Sequence, residues 1–151
     1  MMQVATFFVG AQEYALDILR IKEIIVPLPI TRVPRAPAFI EGIIELRGAV
    51  LPVIDLRKRF GTDAGPPARS TKYVLATVAR HVVGLIVDRV GEVLTLDEAD
   101  LLAPPELAVG EGARFVTAVC RRGDRMIFVI DIDQVLSEAE RSDLVRMGET
   151  A

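Results

Sequence analysis

The chain has 151 residues, of which 51% are hydrophobic and 26% charged, enough apolar material for a packed core and too much for a disordered chain. Eighteen Lys and Arg against 21 Asp and Glu give a net charge of −3, which argues against a nucleic-acid binder, because such proteins carry a basic surplus. The lone Cys120 forbids an internal disulfide and suits a reducing compartment.

The first residues, Met-Met-Gln-Val-Ala, lack the charged-then-apolar layout of a signal peptide. Residues 4–9 and 13–17 flank Gly10-Ala-Gln and predict a first hairpin. Ile18, Ile21 and the Ile24-Ile25 pair recur at helical spacing and predict a short helix ended by Pro27. Residues 40–46 and 49–55 around Arg47-Gly48 predict a second hairpin. An exposed loop follows over 61–70, with two glycines and Pro66-Pro67. A third hairpin runs over 72–78 and 82–87, turning at Ala79-Arg80-His81. Residues 95–114 read as loop with one helical turn near Asp97. The fourth hairpin joins 115–120 to 126–130 through Arg122-Gly123-Asp124. Ser137-Glu-Ala-Glu140 is a capping box that opens a C-terminal helix to about Met147, with Gly148 beyond it. The longest apolar runs, 24–30 and 82–87, are too short to span a bilayer. A soluble cytoplasmic protein is expected, reaching a membrane only through partners.

Two segments recur in the same order. Ala15-Leu-Asp-Ile-Leu-Arg-Ile-Lys-Glu-Ile-Ile25 aligns with Gly84-Leu-Ile-Val-Asp-Arg-Val-Gly-Glu-Val-Leu94, and Pro52-Val-Ile-Asp-Leu56 aligns with Phe128-Val-Ile-Asp-Ile132. The repeats predict two similar β units in one compact domain, with a crevice between them as a natural binding place. Many short strands joined by hairpins favour small barrels or a sandwich, and the long helices of a doubly wound sheet are missing.

No chemical constellation emerges. Asp131-Ile-Asp133 could suggest a metal-binding pair, but Asp55 occupies the repeat position of Asp131, so a capping role explains both. His81 and Cys120 are each single of their kind and make no zinc site, and Cys120 falls in a predicted strand. No phosphate loop is present. No catalytic residue, metal or cofactor is therefore expected. Arg47 reads either as an exposed turn residue or as an arginine that fixes the crevice or pairs with a partner carboxylate. The aliphatic pairs Ile21/Ile24 and Val90/Val93, beside Glu23 and Glu92, read as core or as an apolar patch for a partner helix.

These segments resemble the CheW family over nearly the whole chain. The matching residues are Glu13-Tyr-Ala-Leu-Asp-Ile-Leu-Arg-Ile-Lys-Glu-Ile24, Val33-Pro-Arg-Ala-Pro-Ala-Phe-Ile-Glu-Gly42, Leu46-Arg-Gly48, Leu51-Pro-Val-Ile-Asp-Leu56, Val82-Val-Gly-Leu-Ile-Val-Asp88, Val90-Gly-Glu-Val-Leu94 and Gly123-Asp-Arg-Met126. Glu45 departs from the Asn that often precedes Leu-Arg-Gly in the family. The resemblance implies a mainly β fold: two small five-stranded SH3-like barrels packed together, with a few short helices including a C-terminal one. It implies one domain over 1–151, with a subdomain boundary near 61–71 and strands exchanged between the barrels. It implies a stand-alone, non-enzymatic adaptor coupling the cytoplasmic hairpin tip of a chemoreceptor to the regulatory domain of a CheA-type histidine kinase. By position, Ile21, Gly84, Val90 and Val93 are expected to face the receptor or shape its groove. Glu23, Glu41 and Arg47 are expected on the kinase side, with Arg47 alternatively holding the two barrels in register. The same adaptor role in a chemosensory pathway for pili, gliding or gene regulation is the alternative.

Overall fold

A computed structural model describes residues 1–104 and 114–149. The first hairpin joins β1 (Met2–Val9) to β2 (Gln12–Asp17) through Gly10, whose φ is +61°. The second joins β4 (Gly42–Leu46) to β5 (Ala49–Asp55) through Arg47 (φ +49°) and Gly48 (φ +85°). Two successive positive φ values match the right-handed twist of a tight hairpin. The third, between β6 (Lys72–Val78) and β7 (His81–Val87), holds Ala79 and Arg80 at φ +48° and +70°. The fourth joins β10 (Val116–Arg122) to β11 (Arg125–Ile130). All four lie where the turn residues predicted them.

The helix predicted over 18–25 is not there. One 3-10 turn, Ile18–Arg20, forms under the Asp17 carboxylate, which accepts the Leu19 N–H at 3.0 Å. The chain then extends as β3 (Ile21–Ile25), antiparallel to β6. The aliphatic spacing imitated a helix because Ile18 belongs to the turn and Ile24 faces outward with Lys22, while Ile21, Glu23 and Ile25 are half-buried on the other face. β-branched residues favour that strand once β6 supplies its hydrogen bonds.

In the second repeat, the aligned residues form β8 (Arg89–Leu96). A 3-10 turn at Glu98–Asp100 is the helical turn predicted near Asp97, while the end of β8 and the two-residue β9 (Leu101–Leu102) fall where a loop was predicted. The rest of the predicted loop, 105–113, lies outside the described residues. α1 (Leu56–Arg59) follows β5, and α2 (Glu138–Glu149) begins at the predicted capping box: Ser137 Oγ accepts the Glu140 N–H at 3.1 Å, and Glu140 Oε1 accepts the Ser137 N–H at 2.8 Å. The helix runs through Gly148 instead of ending before it.

The strands form two sheets, ordered β8-β1-β2-β11-β10-β9 and β3-β6-β7-β5-β4. The first has six strands and not five, because Leu101 and Leu102 pair with β10. Each sheet takes two strands from one repeat and the rest from the other. β1 and β2 join β8 to β11, while β6 and β7 join β3 to β5. The 61–70 loop separates the repeats along the chain, yet sheet membership changes after Asp17 and after Val87. The parallel pairs at the two junctions match residue by residue: Val53 faces Gly84 in one sheet, and their repeat counterparts Val129 and Ala15 face each other in the other.

Three apolar clusters follow from this exchange. One fills the first sheet with Val4, Leu94, Cys120 and Ile127. Another fills the second with Ile44, Val53, Tyr73 and Ile86. The largest lies between the sheets and includes Phe7, Tyr14 and Leu16 from the first and Val74, Leu85 and Val87 from the second. Phe60 and Phe115 extend it from Tyr14 as a row of rings, Tyr14 tilted on Phe60 at 4.8 Å and Phe60 stacked on Phe115 at 4.5 Å between centroids. Each such large side chain contributes roughly 1.5–3 kcal/mol on burial. The space between the repeats is thus core, and only its margin is open to a partner.

Candidate functional site

The duplicated aliphatic pairs divide in the same way in both repeats. Ile21 and its counterpart Val90 are half-buried and pack against the inter-sheet core. Ile24 and its counterpart Val93 are 42% and 57% exposed. Alternation along an edge strand causes the split, since neighbouring positions point to opposite faces. β3 and β8 are both edge strands, so each presents an aliphatic side chain outward and anchors another inward. Gly84 is different. It is buried in β7, and a Cβ there would stand 3.5 Å from Val53 and 3.6 Å from Leu75. It faces the core of the second sheet and can influence a surface only through packing.

The glutamates beside these pairs also have matching partners. Glu23 on β3 accepts a hydrogen bond from Arg47 in the β4–β5 turn. β3 and β4 are the two edges of the second sheet, so the contact ties those edges together, and backbone hydrogen bonds between Thr31 and Ile43 (2.9 and 2.8 Å) close the same gap. Arg47 therefore ties together the two edges of one barrel-like sheet. Glu92, the counterpart of Glu23, meets Arg125 at 2.9 Å. Arg125 also grips Glu13 with contacts of 2.7 to 3.0 Å. Glu13 is only 5% exposed, and a buried carboxylate requires such a partner. Hydrogen bonds to Glu13 and then Glu92 hold the Arg125 guanidinium above its usual range.

Glu41 lies just before β4 and pairs with Lys58 of α1 at 2.8 Å. Nearby, Arg57 is held by Asp55 through Nε and Nη2, each at 3.0 Å. That hydrogen bonding outweighs burial and raises its proton affinity further. Glu23 and Arg47 thus lie on the second sheet and its β4–β5 turn, and Glu41 links the start of β4 to α1. Val90 and Val93 stand on the first sheet, Ile21 and Gly84 on the second.

The carboxylates weighed for chemistry have structural partners. Asp55 and Asp131 each cap the turn after a strand, accepting the N–H two residues on at 2.9 and 3.0 Å. Asp133 receives Arg20 at 2.8 Å and the Ala79 N–H at 3.2 Å. Cys120 is fully buried, and burial pushes its thiol pKa up, the opposite of an activated nucleophile. Among the described residues, no three His, Cys, Asp or Glu side chains come together as a metal site. Sequence reasoning missed Arg125, although its position after the fourth hairpin turn and the Glu23/Glu92 repeat were both available to suggest it.

The sequence pattern of the CheW-like domain matches residues 3–140. The chain belongs to the CheW-like family. A chemotaxis protein CheW of Rhizobium meliloti (strain 1021) is 37% identical over 139 residues, covering 92% of this chain and 90% of that one. Protein FrzA of Myxococcus xanthus is 33% identical over 76 residues, half of this chain and 48% of that one. The crystal structure of the scaffolding protein TtCheW from Thermoanaerobacter tengcongensis shares the family fold, with a TM-score of 0.77 and 34% identity over 89% of this chain and 91% of that one. Among the described residues, no helix is long and apolar enough to cross a membrane.

Proposed function

We propose that this chain is a non-enzymatic cytoplasmic adaptor that couples chemoreceptors to a CheA-type histidine kinase in chemotaxis signalling. The observation that supports this most is the family match over 3–140, joined to a fold shared with a protein described as a scaffold. The chain reaches membrane-associated receptor arrays by binding them and needs no cofactor or metal. In this reading Val93 on the edge strand β8 contacts the receptor's helical tip directly. Val90 and Ile21 set the shape of the margin beneath it, and Gly84 keeps the adjoining core thin. Glu41 contributes to the kinase side, and the Glu23–Arg47 pair keeps that side of the second sheet closed.

The test is reconstitution of kinase autophosphorylation with receptors in lipid vesicles. Receptor-dependent stimulation should appear only when this protein is added. Failure to bind either partner at micromolar concentration sinks the proposal. A second reading keeps the adaptor role and places it in a pathway for pili, gliding or gene regulation. The partial match to a relative named otherwise than CheW favours keeping it open. Deletion of the gene, scored for swimming and for surface motility, separates the two.

A further inference from the structure

Two depressions adjoin where the second sheet meets α2. One, of about 590 Å3, lies between the 33–37 loop, the β4–β5 hairpin, the start of β7 and α2. The other, of about 560 Å3, continues along α2 past Ser142 and Val145. Arg80 and His81 line both. Neither is lined by any residue assigned above to the receptor or the kinase.

The larger depression has an apolar floor of Ile43, Leu51, Pro52, Val82 and Leu144, with Val50 60% exposed at its edge. Its rim is cationic. Arg35, from the loop, and Arg80, from the β6–β7 turn, both line it, and neither has a hydrogen-bond or ion-pair partner among the described residues. Arg141, in the adjoining depression, donates to the carbonyl oxygens of Asp133 and Leu136 at 2.6 and 3.0 Å and has no ion-pair partner among the described residues. Among the described residues lining either depression, Glu138 is the one carboxylate. This local excess of positive charge stands on a chain whose net charge is −3.

We infer that this groove is a further docking surface, and that its occupant is a protein segment with apolar side chains flanked by Asp and Glu. The apolar floor rewards burial of aliphatic groups. The unpaired arginines supply the complementary field, which raises the association rate and selects against basic partners. A concave site between a loop and a helix admits a chain segment, whereas a flat bilayer reaches only its rim. A nucleic acid would leave the aliphatic floor unused and would lack stacking aromatics there. The inference concerns a surface separate from the proposed receptor and kinase sites, so it stands or falls independently of them.

The full chain should be titrated with a fluorescent 15-residue peptide of Leu at helical spacing with Glu elsewhere, with its Leu–Lys counterpart, and with phosphatidylserine vesicles. The Leu–Glu peptide should bind at least tenfold more tightly than the Leu–Lys peptide, and more weakly as salt rises. Its amide shift changes should centre on Val50, Leu51, Val82 and Leu144. Arg35→Gly with Arg80→Gly should weaken it at least tenfold. Glycine suits the positive φ of both positions (+62° and +70°), so this variant keeps the fold. Val50→Asp should weaken it similarly. Equal binding of the two peptides, unchanged affinity in the double glycine variant, or vesicle binding in place of peptide binding would each overturn the inference.

Discussion

Val93 and Glu41 show how much a single side chain's direction decides. Val93 is exposed on an edge strand, so Val93→Asp places a charge in water in the free protein and against an apolar surface only in a complex. The melting curve should stay within about ±0.5 kcal/mol of the parent, while binding to an isolated receptor tip should weaken by more than about 1 kcal/mol. Glu41→Lys exchanges a partly exposed ion pair with Lys58 for a repulsion. It should weaken binding to the kinase regulatory domain and spare the receptor tip. Titration of each variant against each partner at one salt concentration decides the matter, and equal weakening of both partners by both variants would reject separate surfaces. Gly91 is a residue of the opposite kind. A Cβ there would stand 2.1 Å from Thr6 Oγ1 and 3.3 Å from Thr6 Cβ. The Thr6 hydroxyl already accepts the Glu92 N–H at 2.9 Å, so rotating it away breaks that bond. Gly91→Ala should cost about 1–3 kcal/mol in denaturant unfolding. A cost below about 0.5 kcal/mol would show that β8 shifts freely past β1.

At the scale of elements, α2 is held by one carboxylate in two roles. Glu140 closes the capping box with Ser137 and also receives two hydrogen bonds from Arg59 at 2.7 and 2.9 Å. Burial pushes its pKa up, but the Arg59 and Ser137 hydrogen bonds outweigh this and hold it below the usual carboxylate range. A folded pKa below the unfolded one contributes stability that is fully present above the unfolded value, near 4.3, and is lost as pH falls through the folded value. The melting temperature should therefore drop below about pH 4.3 more steeply in the parent than in Glu140→Gln. Parallel acid limbs for the two proteins would remove Glu140 from the account. The two segments aligned by the repeat teach a related lesson. Residues 18–25 carry a helical aliphatic spacing, yet they form a turn and an edge strand, because β6 offers them a ladder that an isolated short helix could not match.

For the whole molecule, the exchange of β1 and β2 against β6 and β7 makes each sheet depend on both repeats. A cut in the 61–70 loop should yield two fragments that are each unfolded alone, since each would lack strands from both cores. Mixed in equal amounts, they should recover the parent's far-UV circular dichroism and melt in one transition. A fragment that folds cooperatively by itself would contradict this dependence.

Turn residues, the Ser137–Glu140 box and the alternating Val and Ile runs determined the four hairpins and the C-terminal helix from sequence alone, because those signals act over a few neighbouring residues. The duplicated Arg-aliphatic-any-Glu-aliphatic segments likewise determined which positions would be equivalent. Tertiary structure alone decided what each does. Periodicity made Ile21 and Ile24 look alike, but pairing of β3 at a sheet edge buries one and exposes the other. Glu23 and Arg47 are 24 positions apart, and Glu13 and Arg125 are 112 apart. No local pattern joins such residues; closing of the second sheet brings Glu23 to Arg47, the pairing of β2 with β11 brings Glu13 to Arg125, and burial of Glu13 then makes its arginine obligatory.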